Sequence, residues 1–60
     1  MLKFSKFIWE LELIDKDTDV VIDRIHFLTK RGVRRFLKQH ENQIKKDNMK
    51  YIWGGRQLWL

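Results

Sequence analysis

From Phe7 to Ile14 the chain alternates, with Phe7, Trp9, Leu11 and Leu13 on one side of an extended backbone and Ile8, Glu10, Glu12 and Ile14 on the other. A period of two is the mark of a strand. The polar cluster Asp15, Lys16, Asp17, Thr18, Asp19 separates it from Val20 to Leu28, a stretch rich in β-branched residues that predicts a second strand. So short a connection implies an antiparallel hairpin. The two faces of the second strand are mixed, Val20, Ile22, Arg24, His26 and Leu28 against Val21, Asp23, Ile25 and Phe27, and the pattern leaves open which is buried.

At Thr29 the period changes. Val33, Phe36, Leu37, His40 and Ile44 recur at helical spacing, and at 100° per residue they fall within an arc of about 100°. Thr29 is a suitable N-cap, so a helix is expected from Lys30 to about Lys46. After Asn48, Lys50 to Trp53 reads as a strand and Gly54-Gly55 as a turn or bulge. Arg56 to Leu60 reads as extended, which allows a second short hairpin. The expected fold class is α+β: a small antiparallel sheet of three to four strands with one amphipathic helix packed on it, in the order β-β-α-β or β-β-α-β-β. Neither proline, repeat nor Ser/Gly linker divides the chain, so residues 1-60 should form a single small domain.

A chain of 60 residues buries only about 60% of the surface it exposes when unfolded. With no cysteine there is no disulfide to reinforce it, and two histidines without cysteine argue against a structural metal. Packing or a partner must supply the reinforcement. Three Trp, four Phe and one Tyr suit that role, since each aromatic buries roughly 150 to 250 Å². No apolar run approaches the roughly 18 to 20 residues that span a bilayer, and the N-terminal segment lacks the small-residue cleavage site of a signal peptide. These features lead to the expectation of a soluble, intracellular protein, cytoplasmic or within a viral particle, with no membrane partner.

Charge changes the picture most. Residues 1 to 29 hold four Lys/Arg against six Asp/Glu, whereas residues 30 to 60 hold nine against two. On the helical wheel Arg31, Arg34, Arg35, Lys38, Lys45 and Lys46 fall within about 120°, opposite the apolar arc. Lys30, Arg31, Arg34 and Arg35 crowd the helix N-terminus, where the macrodipole is already positive and each exposed cation costs roughly 0.3 to 1 kcal/mol. A face selected only for solubility would place Asp or Glu there. An anionic ligand accounts for the placement, because free N–H groups at a helix start and nearby guanidinium groups attract the same phosphate or carboxylate. The leading expectation is a non-enzymatic small binding protein. It would contact the phosphate backbone of DNA or RNA through Lys30, Arg31, Arg34, Arg35, Lys38, Lys45 and Lys46, with little sequence specificity. The alternative is a protein–protein interaction module, an inhibitor, adaptor or minor structural subunit of a larger assembly. It would meet an acidic protein surface or a second copy through the same helix and through Met49, Tyr51, Trp53, Trp59 and Leu60, since aromatics, Met and Arg are enriched at interfaces.

Other groupings point less far. Asp15, Asp17 and Asp19 place oxygen donors at alternate positions as a calcium loop does, but Val20 stands where that loop needs glycine and His26 where it needs a bidentate carboxylate. Glu10 and Glu12 share one strand face and are expected to mark its solvent side or pair with Arg24. His40 is expected at the core boundary and His26 packed on the hairpin. Ser5 is the only serine and no cysteine is present, so covalent catalysis has no nucleophile in a suitable setting. Gly54, Gly55 and Arg56 lack the spacing of a nucleotide loop. No catalytic residue, cofactor or metal is expected.

Overall fold

The computed structural model describes the backbone of residues 5–59 and the side chains of residues 7–57. Four elements follow one another: β1 (Ser5–Asp15), β2 (Val21–Phe27), α1 (Lys30–Lys46) and β3 (Met49–Trp59). The strands form one antiparallel sheet in the order β2-β1-β3, so the first strand is central and the last returns along its far side. The fold is α+β, in the order β-β-α-β.

The apolar side of β1 lies under the helix. Leu11 and Leu13 join Val33, Leu37 and Ile44 in a buried cluster, with Trp9, Ile25, Phe27, Phe36, Met49 and Trp53 half-buried around it. Leu11 and Val33 are fully buried, and a side chain of that kind contributes about 1.5 to 3 kcal/mol when removed from water. The cluster settles the orientation of β2: Ile25 and Phe27 turn toward α1, leaving Arg24 and His26 on the sheet face away from the helix, the face that also holds the buried Ile8 and Ile14 of β1. The mixed pattern of β2 has a local cause. Leu13 pairs with Asp23 but Ile14 pairs with Val21, so Ile22 is an extra residue, and this bulge breaks the alternation that a regular strand would show.

A second hairpin at Gly54-Gly55, and with it a fourth strand, does not form. β3 runs straight through both glycines, Gly54 opposite Glu10 and Gly55 opposite Trp9, with no shift in register. Neither has a positive φ. Gly55 serves a close approach instead: a Cβ there would fall 2.7 Å from Phe7 Cε1 and 3.0 Å from Trp9 Cζ3. The Phe7 and Trp9 rings, edge to face with centroids 5.1 Å apart, occupy the space a side chain would take. Glycine marks such an approach inside a strand as readily as it marks a turn.

Both ends of the helix are set by hydrogen bonds. Thr29 is extended and its Oγ1 accepts from the Gly32 N–H at 3.1 Å, the N-cap geometry. At the other end the Asp47 N–H donates to the Gln43 carbonyl at 2.9 Å and the Asn48 N–H to the Lys45 carbonyl at 3.1 Å. Asn48 adopts φ 57°, a left-handed conformation that asparagine tolerates better than most residues. Its Nδ2 donates to Asp17 Oδ2 at 2.8 Å, and its carbonyl accepts from the Lys16 N–H at 3.0 Å. The helix end is thereby fastened to the β1–β2 turn. That turn is built by Asp15, whose Oδ1 accepts from the N–H groups of Asp17 and Thr18.

Candidate nucleic-acid interface

With Val33, Leu37 and Ile44 buried against the sheet, the opposite side of α1 faces outward, and Arg31, Arg34, Arg35, Lys38, Lys45 and Lys46 are all exposed on it. The first turn holds no acidic residue. Arg31 and Lys45 lie fourteen positions apart, or about 21 Å at 1.5 Å per residue. That length matches about six phosphates along one strand at roughly 3.4 Å of axis each. Lys45 and Lys46 lie in the last turn, where the dipole favours cations. The four cations from Lys30 to Arg35 oppose it.

Lys30 has a separate role. Its Nζ stands 4.9 Å from the centroid of the Trp9 ring, a cation–π contact that pins the start of the helix over β1. Phe36 continues the helix–sheet contact, with its ring 5.6 Å from Phe27 and 4.4 Å from the His40 ring. His40 is exposed and flanks the core rather than entering it.

Among the described residues, the cations of the sheet and those of the helix stripe differ in their partners. On the uncovered sheet face Glu10 is the hub, only 12% of its side chain exposed: Arg56 Nη1 donates to its Oε2 at 2.8 Å, His26 Nε2 lies 3.5 Å away and Arg24 Nε 3.6 Å away. Arg24 Nε also donates to Glu12 Oε2 at 3.1 Å, as the strand spacing led one to expect, and Lys50 pairs with Asp19. By contrast, among the described residues none of Arg31, Arg34, Arg35, Lys38, Lys45 and Lys46 meets a carboxylate. Among the described residues, Arg24, Arg56 and Lys50 of the sheet are paired with carboxylates, whereas the six cations of the helix stripe face solvent.

Glu10 and Glu12 border a shallow groove of about 280 Å³ with Ile52, Gly54 and Arg56. The Arg56 hydrogen bond, opposed by partial burial and helped by the Arg56 charge and by His26, holds the Glu10 carboxyl below the usual carboxylate range. At neutral pH it is an occupied acceptor with no proton to give, which is the wrong state for a general acid. Asp15, Asp17 and Asp19 are likewise directed to three separate partners, the turn amides, Asn48 and Lys50. They do not converge on one point as calcium ligands would.

Met49 and Trp53 pack half-buried against the core, Tyr51 is 44% exposed, and Leu60 and the side chain of Trp59 lie outside the described residues. Two lysines outside the helix stripe, Lys16 and Lys50, stand with Lys45 around a groove at the helix C-terminus. No local pattern in the chain marks them, because the Asn48–Asp17 contact, 31 residues apart, brings them together. Among the described residues no helix is long and apolar enough to cross a membrane. No known protein family, curated protein or solved structure matches this chain.

Proposed function

We propose that the protein binds the phosphate backbone of DNA or RNA through the outward face of α1. The observation that supports this most is the contrast in pairing: Arg24, Arg56 and Lys50 on the sheet are matched to carboxylates, while the helix cations are exposed and matched to none among the described residues. Four to six phosphate contacts would make log K fall with log salt at roughly −0.9 per contact on duplex DNA and about −0.7 on a single strand. Base-edge readout needs side chains placed against particular bases, and a stripe of solvent-facing Lys and Arg supplies position without sequence information. Reversing Arg34 and Arg35 to Glu should abolish binding in fluorescence anisotropy while far-UV circular dichroism stays native. Unchanged affinity in the folded double variant rejects the reading.

The alternative, a protein-interaction module, draws on the helix stripe together with β3, where Met49 and Trp53 are half-buried and Tyr51 is 44% exposed. Ile52, opposite Glu12, is more than half exposed on the sheet face away from the helix, and β2 and β3 are both edge strands with unpaired backbone groups. Its test is capture of an acidic protein that competes with polyphosphate for the helix, or self-association seen by analytical ultracentrifugation.

A further inference from the structure

The groove at the C-terminal end of α1 differs in kind from the rest of the basic face. Its volume is about 370 Å³, within the range of roughly 300 to 1,000 Å³ common for small-molecule sites. Ile44, buried, and Met49, half-buried, give it an apolar floor, and Tyr51 lines one side. Tyr51 is 44% exposed and makes no ring–ring contact with the other described aromatics. Lys16, Lys45 and Lys50 surround this apolar patch against a single carboxylate, Glu41. Lys50 is partly neutralised by Asp19, which leaves Lys16 and Lys45 as the unmatched cations. Lys45 also belongs to the helix stripe, so the stripe leads into the groove.

An aromatic ring without a ring partner among the described residues, set among ammonium groups, fits a ligand that is flat and anionic at its flanks. We infer that the groove receives a nucleobase of a single-stranded nucleic acid, stacked on Tyr51, with the adjoining phosphates on Lys16 and Lys45. This inference rests on the backbone-binding reading and narrows it, because a duplex keeps its base faces stacked inside and can offer the groove only phosphates. Stacking on an aromatic side chain together with an electrostatic track is the usual means of holding single strands without sequence preference.

The test compares three labelled probes by anisotropy with the full chain: a short oligo(dT), an abasic strand of equal length and a duplex. Oligo(dT) should bind more tightly than the abasic strand. Tyr51→Ala should weaken oligo(dT) roughly 5- to 150-fold, the span expected for losing one stacked base, and leave the abasic strand and the duplex unchanged. Tyr51→Phe should retain wild-type affinity. If Tyr51→Ala fails to fold, Tyr51→Leu keeps the apolar bulk without the aromatic face and should show the same selective loss. An unchanged oligo(dT) affinity in the folded variant, or an equal loss on all three probes, overturns the base site. If charge reversal at Arg34 and Arg35 still abolishes binding in that case, backbone binding stands without the base site; if the wild-type protein binds none of the probes, both fall.

Discussion

Arg31 offers a sharp test of whether the basic helix start is a feature retained at the expense of stability. It is the second residue of α1, exposed, in a first turn without any acidic side chain, and among the described residues it meets no carboxylate. Replacing it by Glu removes an unfavourable dipole interaction of about 0.3 to 1 kcal/mol and adds a favourable one of similar size. The new carboxylate would also sit three and four residues before Arg34 and Arg35, where each such pair adds about 0.2 to 0.5 kcal/mol. Together these amount to about 1 to 3 kcal/mol at low salt, and in a domain this small each kcal/mol raises Tm by about 4 to 8 °C. Thermal and urea denaturation followed by circular dichroism measure the gain. Repeating them near 1 M salt, where the screening length is about 3 Å, should erase most of it. Nucleic-acid affinity should move the other way, with the salt slope reduced by about one contact. A destabilised Arg31→Glu protein refutes the argument, since it would mean that Arg31 supports the fold and that its position needs no ligand to explain it.

The remaining predictions concern the sheet. Gly54 has open space where a Cβ would stand and lacks a positive φ, so Gly54→Ala should stabilise by about 0.4 to 1 kcal/mol through the unfolded state. Gly55→Ala forces the Phe7 ring aside and should cost about 1 kcal/mol, near the low end for overpacking because Phe7 is already half-exposed; equal urea midpoints for the two variants would reject the close-approach role of Gly55. Because Glu10 is held below its ordinary value of 4.5, its ionised form favours the folded state above that pH, and the contribution disappears as pH falls through the lowered value. Glu10→Gln should therefore flatten the loss of stability with acid below about pH 4.5, as read from urea midpoints at successive pH values, and an unchanged profile would show that Arg56 does not hold the carboxylate.

The local features of the fold were legible in the chain. The helix limits Lys30–Lys46 follow from Thr29 and the three-four spacing, because capping and helical periodicity are both decided within a few residues. The β1 alternation was equally plain, and only Ser5, Lys6 and Asp15 lie beyond the expected span. The strand order was not legible, since placing β1 between β2 and β3 depends on a pairing made across the whole helix. Gly54-Gly55 misled because a glycine pair carries the same local signal whether it turns the chain or clears room for rings from another strand. The bulge at Ile22 hid the buried face of β2 for a similar reason. As a geometric arrangement the basic stripe could be drawn from the wheel alone. The pairing that sets it apart could not, because Arg56 reaches Glu10 across 46 positions, and the groove beside Tyr51 joins residues from three segments.

The central place of β1 also governs the order in which the chain can assemble. The β1–β2 hairpin and α1 each form from neighbours in sequence, but the other edge of β1 must wait for β3, whose partners lie 34 positions away at Asp15 and Met49 and 54 away at Ser5 and Trp59. Closing so long a loop is entropically costly before any contact compensates for it. Until it closes, the strand bearing Leu11 and Leu13 has an open row of backbone donors and acceptors, and the core lacks Met49 and Trp53. The Asn48–Asp17 contact shortens that search: once the helix end is fastened to the turn, Met49 already lies opposite Asp15 and β3 can pair rung by rung from there. If pairing starts there, Asn48→Gly, which keeps the left-handed backbone but loses the Asp17 contact, should slow refolding in stopped-flow fluorescence more than it speeds unfolding, and an effect on unfolding alone would place the contact late.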